Sequence, residues 1–129
     1  MKAKKEVFIS KSMAGVDYNS LDMGTFIPGI SYAPVIVGDL GASLMLLEKG
    51  IATDFHAHSD PQISFIISGR IRYIVQESEN DESVYEAGPM CLVGVSGGAQ
   101  HRLEVLETAN VVECWSPANR HHKVAVAQI

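Results

Sequence analysis

The sequence predicts an all-β fold, a sandwich or barrel, and three observations predict it. The apolar segments are four to eight residues long and rich in Val, Ile, Phe and Tyr, which suits strands better than helices. Eleven Gly and five Pro divide the 129 residues into short pieces. No apolar pattern of helical period runs far enough to make a major helix. Short strands at regular spacing with Gly/Pro punctuation are the signature of a sandwich or barrel.

The elements follow in order. The first thirty residues are the least regular and suit an edge strand or a dimer arm. Strands are expected over 34–37 and 42–48, separated by Gly38-Asp39 and closed by Lys49-Gly50. Two more are expected over 62–68 and 70–76. Ser68-Gly69 between them reads as a tight hairpin, with Gly69 where φ must be positive. Arg70-Ile71-Arg72-Tyr73-Ile74-Val75 begins with the polar/apolar alternation of a half-buried strand. Residues 77–82 are polar and acidic, a solvated connection. Gly88-Pro89 opens a strand over 91–95, and Ser96-Gly97-Gly98 ends it. Strands over 102–106 and 110–115 complete the set, and residues 116–129 form a tail carrying Arg120-His121-His122. With no internal repeat or linker, residues 1–129 read as one domain.

Composition excludes several functions. Ten Lys and Arg against fifteen Asp and Glu leave a net charge of −5, which disfavours nucleic acid and anionic membranes as partners. No apolar run approaches the length of a membrane span. The basic start lacks an apolar stretch of signal-peptide length. Cys91 and Cys114 are too few for a disulfide framework and read as small buried hydrophobes. The cytoplasm is the expected compartment.

Asp54-Phe55-His56-Ala57-His58 places two histidines two residues apart. On an extended strand both face one side, so two imidazoles converge as a pair of metal ligands. The plainer alternative is two exposed or hydrogen-bonded rings. The surroundings read Gly50-x5-His56-x-His58-x3-Gln62-x6-Gly69, then Gly88 to Ser96-Gly97-Gly98-x2-His101. These stretches resemble the two motifs of the cupin superfamily. Gln62 stands where the first motif usually ends in Glu; Ser96 and Val105 stand where the second usually has Pro and Asn. The resemblance covers residues 50–105 and implies a single-domain antiparallel β-barrel, a jelly roll with a metal near one mouth. The ligands it implies are His56, His58, Gln62 and His101. Three imidazoles and an amide oxygen suit a divalent ion such as Zn, Ni, Fe or Mn. All four are neutral, so the ion keeps its charge and an anionic substrate can supply the counter-charge. Asp60 and Glu104 are reserve ligands, although Asp60 before Pro61 reads as a turn residue.

In Val111-Val112-Glu113-Cys114-Trp115-Ser116-Pro117, alternation puts Val111, Glu113 and Trp115 on one face and Cys114 on the other. An acid and a Trp among apolar residues fit a ligand site at a barrel mouth; the alternative is an edge residue with its carboxylate in solvent. The segment His101-Arg102-Leu103-Glu104-Val105-Leu106-Glu107 and the ending Glu113-x-Trp115-Ser116-Pro117 with Arg120 resemble the pectin-degradation cupins of the KdgF type. There the closing strand usually reads Asp, then Phe, Ser-Pro and Arg. The resemblance implies linearisation of an unsaturated uronate, with Glu113 as general acid/base, Arg120 gripping the substrate carboxylate and Trp115 shaping the pocket. Two other readings stand beside it: an Fe- or Cu-dependent dioxygenase and a non-catalytic small-molecule-binding barrel. A homodimer, paired through an edge strand, is expected.

Overall fold

The computed structural model describes residues 7–19, 21, 23–118 and 127–129. Arg120, His121 and His122 lie outside them. Along the chain run β1 (Val7–Ile9), β2 (Ala14–Val16), β3 (Gly24–Ile27), β4 (Ile30–Tyr32), β5 (Val35–Val37), β6 (Leu40–Leu47), β7 (Gln62–Ser78), β8 (Asp81–Ala87), β9 (Leu92–Val95), β10 (Gln100–Trp115) and β11 (Ala127–Gln128). Among the described residues no helix is long and apolar enough to cross a membrane. The irregular N-terminal region resolves into two antiparallel hairpins, β1–β2 and β3–β4. The first stands as a separate two-stranded sheet.

The main sheet runs β11-β5-β6-β10-β7-β8, with β4 beside β6 and β9 beside β7. Every pairing is antiparallel except β11 with β5. The two long central strands, β7 of 17 residues and β10 of 16, make the architecture. The first part of β7 pairs with β9 and its second part with β8. The last part of β10 pairs with β6, while β10 follows β7 along most of its length. Each long strand thus serves two half-sheets whose inner faces meet. Ile66, Val111 and Leu47 from one half pack with Ile71, Tyr73 and Val105 from the other in one buried cluster.

The break between the half-sheets corrects the expected hairpin at Ser68-Gly69. Residues 62–78 are a single strand because β10 pairs across the junction, Ser68 with Asn110 and Arg70 with Glu107. Gly69 does have a positive φ of 90°, but the conformation bends the strand and does not reverse it. A Cβ at Gly69 would overlap the Thr108 carbonyl and lie 2.6 Å from Ala109 Cα. The register of β10 shifts between Val105 and Val111, opposite this glycine. Bulges of this kind let a strand turn a barrel corner. Accordingly, 102–106 and 110–115 are also one strand. β8 escaped the sequence reading because residues 81–86 are all exposed, so no apolar alternation announces it. Cys114 is exposed on the outer face and Cys91 is half-buried, which corrects the buried reading for Cys114.

Candidate metal centre

His101 lies near the start of β10 and is buried, 4% exposed. On this stretch Val105 is likewise buried and Leu103 packs on the core, so His101 shares their inward face. His56 is brought to it by a segment that is not a regular strand. Residues 51–56 follow the start of β10 through two isolated bridges, Ala52 with Glu104 and His56 with His101. His56 N–H donates to the His101 carbonyl at 3.0 Å and His101 N–H to the His56 carbonyl at 2.9 Å. The His-x-His pair therefore converges without the continuous strand expected for it. A second loop positions His58. Gly98 N–H donates to the His58 carbonyl at 2.7 Å. A Cβ on Gly97 would overlap the carbonyl oxygen of Ser59, so glycine lets the two loops touch.

The three rings are fixed in one tautomer. His56 Nδ1 lies 2.8 Å from the Asp54 carbonyl, His58 Nδ1 3.3 Å from the Asp60 carbonyl and His101 Nδ1 2.8 Å from the Ala99 carbonyl. A carbonyl only accepts, so each Nδ1 carries the hydrogen and each Nε2 keeps its lone pair. Such anchoring of the far ring nitrogen is what metal-ligating histidines need. Ring centroids are 4.3 Å apart for His56 and His101, 4.9 Å for His58 and His101 and 5.6 Å for His56 and His58. One ligand nitrogen from each lies within 4.8 Å of the others. Burial first, and then the two neighbouring imidazoles, push the His101 pKa down, against the hydrogen bond to the Ala99 carbonyl. The donor set fits a divalent first-row ion.

Gln62 opens β7 on its inward face, buried, beside Trp115 of β10 and Val95 of β9. Of the reserve ligands, Glu104 is corrected. It points outward, paired with Arg72 at 3.1 Å and Arg102 at 2.8 Å, and these cations hold its carboxyl below the usual range. Asp60 supplies its carbonyl to His58, while its carboxyl is not part of the histidine cluster.

Deeper in the barrel a second polar group forms. Glu113 on β10 stands opposite Ser64 on β7 and Ser43 on β6. Val111 and Trp115 on its face are buried and Cys114 is exposed, as alternation requires. Burial alone pushes the Glu113 carboxyl up to about 7. Tyr73, 5% exposed, is pushed up to about 12, first by burial, although a hydrogen bond with Ser64 opposes this and the Glu113 charge adds to it. Tyr73 pairs with Leu103, two residues from His101, so its row lies about 7 Å along the strand from the metal ligand. Trp115 packs with Ile36 and Ala118 in a separate apolar cluster, its ring against Gly41. Sequence alone names Tyr73 as a residue that could face the cavity, without phase establishing it, and does not single out Ser64. The signal available was phase, because Gln62, Ser64 and Ile66 alternate inward before the bend and Ile71 and Tyr73 after it.

Gly97→Ala is expected to separate the two loops and weaken metal binding about 10- to 100-fold, the range for lost ligand support. A chelator competition titration checks this, with the circular dichroism spectrum unchanged.

No protein-family model matches the sequence, and no curated protein sequence does. Solved structures do match. KdgF from Halomonas sp. superposes with a TM-score of 0.70 at 19% identity, over 78% of this chain and 92% of that one. An oxalate decarboxylase variant from Bacillus subtilis gives 0.69 at 18% identity, over 81% of this chain and 30% of that one. The oxalate decarboxylase of Lactobacillus farciminis, in its formate complex, gives 0.66 at 21% identity, over 75% of this chain and 31% of that one. This chain therefore spans less than a third of either decarboxylase. At these identities the likeness establishes a shared fold.

Proposed function

From the cupin fold that these likenesses establish, we propose that the protein is a metal-dependent enzyme acting on a carboxylate-bearing sugar acid, linearising an unsaturated uronate. The observation that carries the reading is Glu113, on the inward face of β10 opposite Ser64 and Ser43, inside a barrel that also gathers three tautomerically fixed histidines. The resemblance of the closing strand to the KdgF-type cupins supports the choice of substrate.

His56, His58 and His101, with Gln62 as the fourth ligand, would hold the ion. Bound there, it supplies Lewis acidity toward substrate oxygens and counter-charge for the substrate carboxylate. Glu113 delivers a proton to carbon at the enol-ether double bond while water adds to the neighbouring carbon. It takes back the proton that the water sheds, and the hemiketal opens to the keto-acid as its ring C–O bond breaks and its hydroxyl proton passes to the ring oxygen. A carboxyl with its pKa close to the working pH can both give and accept. Arg120 is assigned the substrate carboxylate, for which its planar fork is suited. Trp115 is assigned the pocket wall. The same reading takes the enzyme to be a cytoplasmic homodimer paired through an edge strand.

The test is turnover of a panel of unsaturated uronates by metal-loaded protein under strict anaerobiosis, followed by loss of the conjugated double-bond absorbance. Oxygen-independent turnover is expected. Turnover that requires and consumes oxygen supports the dioxygenase, and binding without conversion supports the non-catalytic barrel; either result overturns the proposal.

A further inference from the structure

The outer face of β7, β8 and β10 is ionic, and its ions form a row across the strands. Glu86 on β8 stands opposite Arg72 on β7, and Arg72 opposite Glu104 on β10. Arg72 lies 2.7 Å from Glu86 and 3.1 Å from Glu104, whose other oxygen lies 2.8 Å from Arg102. Beyond Glu104 the row reaches Ala52, on the segment that carries His56, and alanine has no charge to continue it. Arg102 continues it instead. Its guanidinium carbon lies 5.7 Å from the centroid of the Phe55 ring, within the range of a cation–π contact. The chain of contacts thus passes through the neighbour of His101 and ends on the neighbour of His56.

The segment before His56 is short of backbone support. Ala52 faces Glu104 but His56 faces His101, so the segment holds one residue more than β10 between the two bridges, as in a bulge. There Leu103 N–H donates to the Thr53 hydroxyl at 3.0 Å, and the Asp54 carbonyl is turned to His56 Nδ1 at 2.8 Å. That carbonyl sets the His56 tautomer, so the bulge must keep its shape for Nε2 to face an ion. The pairing of His56 with His101 puts Phe55 across from Arg102, where β10 can grip the bulge from outside. Arg102 keeps this position although its Nε is buried with no hydrogen-bond partner among the described residues. Hydrogen bonding alone would turn that donor to water. Exposed ion pairs contribute little stability one by one, so the end of the row serves better as a brace than as a source of stability.

We propose that Arg102 is a positioning residue for the metal centre: lying over Phe55 and held by Glu104, it fixes the bulge that carries His56 against the strand that carries His101. The proposal rests on reading the three histidines as a metal site and is independent of the uronate chemistry. Without the brace His56 is in place for a smaller fraction of the time, and the apparent affinity falls by that fraction. The test is titration of the metal-free, full-length protein with cobalt(II) in competition with a chromophoric chelator. Arg102→Met keeps the stem and removes the cation; Phe55→Leu keeps an apolar side chain and removes the ring. Each is expected to raise the cobalt dissociation constant about 10-fold, the lower end of the range for lost ligand support. The double variant is expected to lose no more than either alone, because both remove one contact. Phe55→Tyr restores an aromatic face and is expected to bind as the wild type does. Glu86→Gln breaks the far end of the row, leaves Glu104 bonded to Arg102, and is also expected to bind as the wild type does. Thermal melts of the metal-free variants complete the comparison. A lowered Tm with unchanged cobalt affinity in Arg102→Met and Phe55→Leu would make the contact merely structural and overturn the proposal. Losses that add in the double variant, or an equal loss in Glu86→Gln, would overturn it too. A wild type that binds no cobalt overturns the metal-site reading and this proposal with it.

Discussion

Glu113→Gln is expected to keep the bound ion and to lose about 10²- to 10⁴-fold in turnover, the usual contribution of a positioned general acid/base. The amide preserves shape but cannot exchange the proton. Metal content equal to wild type, with kcat reduced and little change in KM, separates a chemical role from a structural one. The same substitution has a stability signature in the metal-free protein. Burial holds the Glu113 pKa at about 7 in the folded state, above its value in the unfolded chain. Between the two values the folded state keeps a proton that the unfolded state has released. The stabilisation from that proton is complete on the acid side and is lost as pH rises through about 7. At pH 8 the wild type carries a buried carboxylate that the Gln variant lacks. The variant is therefore expected to be more stable there by about 2–3 kcal/mol, with a flatter dependence between pH 5 and 8. Denaturant melts at several pH values check it. Equal slopes for the two proteins would show that the carboxyl is not held away from water.

His58→Ala is expected to abolish metal binding while leaving the fold standing. His58 is exposed at the mouth, so truncating it removes a ligand without opening a cavity in the core. An ion present at about a thousand times its dissociation constant stabilises the folded state by about 4 kcal/mol. Adding chelator to the wild type should therefore lower Tm by on the order of 10 °C, whereas the variant should not respond. The variant should also show no uronate turnover at any metal concentration at which the wild type is saturated. A chelator effect that survives in His58→Ala would place the stabilising ion elsewhere.

The strand-rich character of the chain was legible because short Val/Ile-rich segments and glycine turns leave few alternatives. The long strands were not. Ser68-Gly69 has the chemistry of a hairpin, and only the partner strand decides otherwise: β10 runs past both sides of the glycine and holds them in line. β8 carries no apolar alternation because it lies on the ionic face, where charge pairing replaces burial as the local pattern. At the site, spacing was sufficient for His56, His58 and His101, although the reason they converge differs from the expected one. Backbone bonds to the start of β10 and to the Gly97-Gly98 loop place the rings, not a regular strand. Glu104 misled because sequence proximity to His101 says nothing of face; one residue of phase put it among Arg72 and Arg102. Ser64 was hidden, and the facing of Tyr73 left open, by the bend between them, which resets alternation in the middle of β7.

The most direct test of the central claim is an anomalous difference map from crystals of the metal-loaded protein, collected above and below the absorption edge of the ion. The account predicts one strong peak per chain, about 2.1 Å from Nε2 of His56, His58 and His101, with the three Nδ1 atoms still facing their carbonyls. A peak at the His121-His122 pair alone, or three rings gathered around no peak in protein shown to be metal-replete, would contradict it.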